Sequence, residues 1–292
     1  MKLIKKVNYL YFRNINNLTS FFEEKNQKLL SQITGVYFGE EFCEHLIPSI
    51  EDVKKAYKFT RAMDKTFSFI TTIASPDLIN SYKNIFNFLN KQNKAEIIIN
   101  DWGILHLLTQ RFKNIKPVLG RLLTKNKRYI YKKFSPDTEN LLPENIPIIK
   151  KNQLKILRET NFSVKEYQKF LKNYGIEKID IDIPPQGINV DSVSGFSFGF
   201  YYPWGYLTGG RTCPYNKKSP FHVPSVSCSN NQYCGRTKIL TSETWNTQLL
   251  EIGNVVLYRV KKHKINPRFD RIILEMDIGV KLPEILQLLT RS

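Results

Sequence analysis

Ser163-Val-Lys-Glu-Tyr-Gln-Lys-Phe-Leu-Lys-Asn-Tyr-Gly175-Ile-Glu-Lys-Ile-Asp-Ile-Asp-Ile183 contains the clearest helix-to-strand junction in the chain, and its reading decides the fold. Ser163 followed by Glu166 has the spacing of a capping box, in which a hydroxyl and a carboxylate satisfy the orphan N–H groups that open a helix. The helix is expected to run through Lys172 and to be closed by Gly175, because glycine accepts the left-handed conformation that ends helices. A strand then follows over Lys178–Ile183. Helix followed by buried strand is half of a βα repeat, so the remaining sequence can be searched for the same alternation.

The alternation recurs. Strand-like runs occur at Val7–Phe12, Gly35–Phe38, Thr66–Ile73, Ala95–Asn100, Lys116–Gly120, Phe196–Tyr202 and Val255–Val260, which with Lys178–Ile183 make eight; a ninth lies at Arg271–Met276. Helical spacing appears in Ile50–Met63, through Val53, Ala56 and Tyr57, and in Leu78–Leu89, through Ile79, Tyr82, Ile85 and Phe86. Eight parallel strands can close on themselves without leaving an edge, and such barrels occupy about 250 residues. With 292 residues and no Pro/Gly/Ser-rich linker, the chain reads as one α/β domain over 1–292, a TIM-like (β/α)8 barrel. After the seventh strand, residues 203–241 lose all periodicity and fill with Gly, Pro, Ser, Asn and three of the four cysteines, the pattern of a functional insertion.

No apolar run approaches the roughly 18 residues that cross a bilayer, and the basic N-terminus is not followed by a signal-peptide core and cleavage site. A cytoplasmic protein without membrane insertion is therefore expected. Forty-four Lys and Arg against 26 Asp and Glu give a formal charge of +18, suited to an anionic substrate or to RNA. From Trp102 to Pro136 there is no acidic residue, while Arg111, Lys113, Lys116, Arg121, Lys125, Lys127, Arg128, Lys132 and Lys133 are interleaved with Tyr129, Tyr131 and Phe134. Cations for phosphates and rings for unpaired bases make an RNA surface. A Lys- and Asn-rich composition set by codon bias would produce the same run.

In a cytoplasmic chain the cysteines Cys43, Cys213, Cys228 and Cys234 need an explanation other than disulfides. Four thiolates are the complement of an iron–sulfur cluster and of a structural zinc alike. The tight Cys-x2-Cys knuckles of a zinc ribbon are missing, and Cys43 follows directly on a strand, where a barrel presents ligands at its rim. Iron–sulfur, zinc, and simple burial or pairing all remain open on spacing alone. Any shared site requires Cys43 and Cys213 to lie at the same end of the barrel.

Five segments in order, Val36-Tyr-Phe-Gly-Glu-Glu-Phe-Cys43, Ile98-Ile-Asn-Asp-Trp-Gly103, Val118-Leu-Gly-Arg-Leu-Leu123, Ile181-Asp-Ile-Pro-Pro-Gln-Gly-Ile188 and Gly210-Arg-Thr-Cys213, resemble the collagenase-like peptidase family U32, in particular its short single-domain members similar to UbiV. The resemblance spans roughly residues 30–240. It implies a β/α barrel with a 4Fe–4S cluster held by Cys43, Cys213, Cys228 and Cys234, a role in oxygen-independent hydroxylation such as that of a ubiquinone precursor, or in modification of an RNA base, and a second protein of the same family as heterodimer partner. The closing Cys228-x5-Cys234 departs from the Cys-x3-Cys spacing of the family pattern. The additional C-terminal domain of the longer collagenase-like members is not found in the sequence, which weighs against the peptidase reading.

Other candidate site residues lie where barrels place chemistry, at the C-terminal ends of strands. Asn100 and Asp101 are proposed as catalytic with Arg211, the guanidinium two residues before Cys213. The alternative reading of Asp101 is the N-cap of a helix starting near Gly103. Trp102, Arg121, Asp182, Gln186 and Tyr202 are assigned to substrate binding, Arg121 through a bidentate grip on a carboxylate. Against these stand an ordinary basic surface for Arg121, a loop fixed by Pro184-Pro185 for Asp182 and Gln186, and core packing for Tyr202. No His-Glu-x-x-His, Gly-x-Ser-x-Gly or phosphate-loop motif is present. A peptidase and a non-catalytic RNA-binding protein with a structural cluster are the alternative functions.

Overall fold

A computed structural model describes residues 7–23, 30–92, 95–128, 147–210, 236–243, 245–260 and 268–278. Eight parallel strands close a barrel: β1 (Val7–Phe12), β2 (Gly35–Gly39), β3 (Thr66–Ile70), β4 (Glu96–Ile99), β5 (Lys116–Leu119), β6 (Lys178–Ile181), β7 (Ser197–Tyr202) and, last, β12 (Phe269–Glu275). Four more strands, β8 (Trp204–Gly209), β9 (Thr237–Leu240), β10 (Leu249–Ile252) and β11 (Val255–Arg259), form a separate sheet between β7 and β12, antiparallel in the order β8-β11-β10-β9.

Period-two alternation sorts each barrel strand into two faces. Outward residues such as Leu10, Phe12, Val36, Phe38, Phe69, Ile97, Ile99, Ile179, Ile181, Phe200, Ile272 and Leu274 join the shell core beneath the helices. The helix Ile50–Ala62 buries Val53, Ala56 and Thr60 there, and its N-cap Ser49 accepts a hydrogen bond from the Asp52 N–H. Ile79–Asn90 buries Tyr82, Ile85, Phe86 and Leu89, the face read from its spacing. Each such apolar side chain withdrawn from water contributes roughly 1.5–3 kcal/mol.

Inward residues are unusual for a barrel. Tyr9, Tyr11, Tyr37, Ile70, Ile98, Val118, Tyr201 and Ile273 form a small inner core, and charged groups share the lumen with them. Tyr37 Oη donates to Asp180 Oδ2 at 2.8 Å, joining β2 to β6 across the barrel. Arg271 bonds the Tyr37 hydroxyl and reaches Glu96 at 3.2 Å, while Lys178 also pairs with Glu96. Burial alone would raise the Glu96 pKa, but the neighbouring Arg271 and Lys178 outweigh it and hold the carboxyl below its ordinary value. Burial dominates at Asp180 and pushes its carboxyl up to about 6.

Two expectations change. The run Val255–Val260 does not close the barrel. A two-residue Gly253-Asn254 turn, with Gly253 at φ +56°, folds β11 back on β10 as a hairpin, and Arg271–Met276 supplies the eighth barrel strand. The insertion therefore extends as ordered sheet to Arg259, beyond the expected end at 241. At the Ser163–Ile183 junction the helix runs Lys165–Asn173, but the capping box is not made. Ser163 ends a 3-10 turn, and its hydroxyl is engaged with the Thr160 carbonyl at 2.7 Å. The closing end is as expected: Gly175 has φ +71°, and its N–H meets Lys172 O while Ile176 N–H meets Leu171 O, a Schellman motif.

Candidate functional site at the barrel mouth

Parallel strands all end at one rim, so the residues that follow them converge. Arg13 follows β1, Glu40 and Glu41 follow β2, Asn100 follows β4, Arg121 follows β5 and Asp182 follows β6, while Tyr201 and Glu275 lie in the last turns of β7 and β12. Arg121 is 0% exposed, and all five of its N–H groups are engaged. Nε and Nη2 reach Glu41 Oε2 at 3.0 and 2.6 Å, Nη2 also reaches Glu275 Oε1 at 2.5 Å, and Nη1 bonds Asp182 Oδ1 and the Trp204 carbonyl at 3.3 and 3.1 Å. Its guanidinium carbon lies 3.7 Å from the centre of the Tyr201 ring, whose hydroxyl donates to Glu41 Oε1. Removal from water would strip the charge from Arg121, but the carboxylates of Glu275, Glu41 and Asp182 raise its pKa well above the ordinary value.

Arg13 extends the cluster. It bonds Tyr11 Oη at 3.2 Å, pairs with Glu275 at 3.5 Å and Glu40 at 3.9 Å, and lies over the Phe42 ring. Glu40 Oε1 in turn accepts from the N–H groups of Phe42 and Cys43. Four carboxyls thus face three guanidiniums, Arg128 being the third at 3.8 Å from Asp182. The imbalance is absorbed by protons: burial pushes Glu275 up to about 7, with Arg121 and Arg13 offsetting only part, and burial likewise raises Asp182 and Glu40. Among the described residues no three His, Cys, Asp or Glu side chains are grouped to hold a metal ion.

These shifts give a pH dependence. Asp180 and Glu275 bind protons more tightly folded than unfolded, so their stabilising contribution is complete below about pH 4 and is lost as pH rises through 6 to 7. The protein is expected to melt a few degrees higher at pH 5.5 than at pH 8. Asp180→Asn should shrink that difference in a thermal melt monitored by circular dichroism; an unchanged difference in the variant would refute the assignment to Asp180.

The inserted sheet covers this mouth. Trp204 of β8 lends its carbonyl to Arg121 and bonds Ile278 O through its indole N–H, Tyr206 stacks on Phe42 at 5.7 Å, and the Arg128 guanidinium lies 5.0 Å from the centre of the Tyr206 ring. At the hairpin tip, Asn254 donates one side-chain N–H to Phe42 O at 2.9 Å and the other to Gly210 O at 2.6 Å, and its own carbonyl accepts from Gly210 N. Phe42 precedes Cys43, a partly exposed residue at the rim, and Gly210 lies three residues before Cys213.

The candidate residues separate when placed in space. Asn100 belongs to the mouth: its amide bonds Thr71 O and Glu41, and its Oδ1 receives Leu122 N–H. Asp101 caps the helix Trp102–Arg111 by accepting from Ile104 N. Trp102 is 39% exposed and packs edge-on against Phe170 and Tyr167, outside the barrel. Arg121 and Asp182 lie at the centre of the cluster, so a substrate carboxylate would have to displace one of the partners of Arg121. Gln186 staples loops, donating to the carbonyls of Lys127 and Leu157. Tyr202 packs in the outer shell, one residue out of phase with Tyr201. Arg211, Cys213, Cys228 and Cys234 lie outside the described residues.

The basic stretch is also divided. Arg111, Lys113 and Lys116 precede or open β5, whereas Lys125 and Lys127 follow it, so the run spans opposite ends of the barrel. Arg121 and Arg128 face carboxylates. Lys132, Lys133, Tyr129, Tyr131 and Phe134 lie outside the described residues. Sequence reasoning gave no role to Arg13, Glu40, Glu41 or Glu275. The Glu40-Glu41 pair was visible in the segment ending at Cys43, but Glu275 was hidden because its strand had not been assigned to the barrel.

The fold and the site define a β/α barrel with a sealed, ion-paired mouth beneath an inserted antiparallel sheet. No protein-family model matches the sequence, and no curated protein matches it. Among solved structures it is similar to the U32 peptidase Mk0906, at 9% identity over 93% of this chain and 92% of that one, with a TM-score of 0.45. No helix among the described residues is long and apolar enough to cross a membrane.

Proposed function

We propose that this chain is an iron–sulfur protein of the U32 family, close in kind to its UbiV-like members. It acts as an enzyme or accessory subunit in an oxygen-independent hydroxylation or related redox modification. Cys43, Cys213, Cys228 and Cys234 would hold a 4Fe–4S cluster, and Asn100 and Arg211 would face a quinone precursor or an RNA base beside it, in a cytoplasmic complex with a second protein of the family. The observation that supports this most is the Asn254 amide, which bonds the carbonyls of Phe42 and Gly210 at once. Gly210 stands three residues before Cys213 in the sequence. The loop bearing Cys43 and the chain at Gly210 meet at Asn254, which supports a shared site. A fully cysteine-ligated cluster supplies one-electron transfer and a charge to be balanced.

The chain's own residues have distinct parts in this reading. Glu40 fixes the Cys43 loop by accepting its N–H groups. Arg121 and its carboxylates keep water out of the lumen below the site. Glu275, which retains a proton near neutral pH, is placed to buffer proton movement at the mouth.

Purification without oxygen, followed by iron and acid-labile sulfide analysis and an absorption spectrum, tests the proposal. About four irons and four sulfides per chain are expected from the ligand count, with at least a tenfold loss in Cys43→Ser. Bound zinc without labile sulfide would overturn it.

A further inference from the structure

Away from the mouth, the helix Pro147–Arg158 and the loop after β6 border a groove of about 620 Å³, which lies between Leu154, Lys155 and Arg158 on one side and Gly187, Ile188, Asn189 and Asp191 on the other. We propose that this groove is a binding site for a phosphate monoester that carries an apolar group, with Arg158 as its anchor. Its volume falls within the roughly 300–1,000 Å³ of small-molecule sites. None of its lining residues belongs to the Cys43 loop or to the Arg121 cluster, so the site stands independently of the iron–sulfur reading.

The Arg158 guanidinium is held in place at one edge only. Its Nε donates to Gln186 O at 2.6 Å, and its backbone carbonyl accepts the Asn189 N–H at 2.8 Å. Gln186 is itself buried and fixed, its side-chain amide meeting the carbonyls of Lys127 and Leu157. Nη1 and Nη2 have no partner among the described residues, which leaves the outer edge of a positioned fork for an oxyanion. Spacings of three and four residues put Lys155 and Leu154 on the same helix face as Arg158. Lys155 is exposed and makes no ion pair among the described residues. Asn189 Oδ1 accepts the Asp191 N–H at 3.0 Å, so the donors of its side-chain amide are the part left for a ligand.

This donor set selects phosphate over carboxylate. A carboxylate is satisfied by one guanidinium fork, whereas a phosphate monoester carries a charge near −2 at neutral pH and three acceptor oxygens. Two cations and an amide match the second. Leu154 and Ile188 give the rest of the ligand an apolar wall. Asp191 lines the same groove without pairing with either cation among the described residues, and its carboxylate repels a second phosphate. A single phosphate on an apolar group therefore fits better than pyrophosphate or a polynucleotide backbone. If Arg158 served only to staple the loop, its Nε contact would suffice and Lys155 would have no part.

Isothermal titration calorimetry on the full-length protein at pH 7.5 and low salt tests this with phenyl phosphate, inorganic phosphate, benzoate and pyrophosphate. Phenyl phosphate is expected to bind with a Kd below about 1 mM. Inorganic phosphate should bind several-fold more weakly, and benzoate and pyrophosphate at least about tenfold more weakly than phenyl phosphate. Arg158→Gln should weaken phenyl phosphate and inorganic phosphate at least about tenfold, the loss expected when hydrogen bonds from a charged donor are removed. Lys155→Gln should weaken both about threefold, as for an exposed charge pair. Leu154→Ser should weaken phenyl phosphate and leave inorganic phosphate unchanged, and Asp191→Asn should tighten pyrophosphate. Thermal melts by circular dichroism accompany each variant. If Arg158→Gln melts lower, Lys155→Gln decides alone, because its side chain has no partner to lose. No saturable heat with phenyl phosphate, benzoate binding as tightly as phenyl phosphate, or an affinity for phenyl phosphate unchanged in Lys155→Gln would overturn the proposal.

Discussion

Arg121→Leu is expected to cost about 5 kcal/mol of folding stability at pH 8, the upper part of the range for breaking a buried ion pair. Glu41, Glu275 and Asp182 would remain buried without the guanidinium that meets them at 2.6, 2.5 and 3.3 Å. A carboxylate in that position can only take up a proton or admit water. Because loss of the cation raises carboxyl pKa values in the folded state, the deficit should shrink as pH falls: a raised acid contributes stability below its unfolded pKa and loses it as pH rises through the folded one. Chemical denaturation at pH 8 and pH 5.5 measures this. A loss equal at both pH values, or under about 1 kcal/mol, the range of exposed pairs, would show that Arg121 does not organise the mouth. Should Arg121→Leu fail to accumulate, adding Glu41→Gln and Glu275→Gln should restore a folded protein, since two of the three stranded carboxylates are then neutral and Asp182 keeps Arg128 at 3.8 Å.

This network also shows why sequence reading reached the barrel before it reached the site. Strand and helix periods are local, so seven barrel strands and two outer helices were legible from spacing, and Gly175 was legible as a terminator. The eighth strand was misassigned because Val255–Val260 and Arg271–Met276 are both short, mostly apolar runs, the first the more apolar; only the Gly253-Asn254 turn, a hairpin signal between two short apolar runs, separates them. Ser163 matched a capping pattern by spacing, but Thr160 engages its hydroxyl in a turn that the pattern does not include. Inside the barrel the logic differs. Arg121 meets Glu41, Asp182 and Glu275 from 61 to 154 residues away, and no local pattern marks partners at such separations.

The triplet Asn100-Asp101-Trp102 illustrates the limit. Three consecutive residues at the end of a strand read as one motif, yet the helix that begins at Trp102 turns successive side chains through about 100°. Asn100 stays in the mouth, Asp101 turns to cap the helix, and Trp102 leaves for the outer surface against Phe170. Contiguity in sequence is a guide to a site only where the backbone keeps neighbours on one face.

Gly39→Ala is expected to be the other severe substitution, and it tests how the rim is built. Gly39 has φ +141°, and a Cβ there would lie 2.3 Å from the Ile70 carbonyl oxygen and 3.0 Å from the Ile70 nitrogen, its partner in the β2–β3 ladder. Backbone cannot swing aside as a flexible side chain does, so β2 must separate from β3 or Gly39 must rotate. Either movement displaces Glu40, Glu41 and Cys43, which follow within four residues. Strain at an unfavourable φ costs about 1–3 kcal/mol by itself, and the broken ladder adds to it, so a loss of at least about 3 kcal/mol is expected in denaturant titration. Gly175→Ala is the comparison: it also has positive φ, +71°, but open space where the Cβ would go, so it should lose only about 1 kcal/mol. If the two variants were equally stable, close approach of β2 to β3 would not be what places Cys43 at the mouth. If Gly39→Ala alone is severe, its Cys43 should also become several-fold more reactive toward a thiol reagent than in Gly175→Ala, because the same glycine that admits the strand pairing sets the start of the loop.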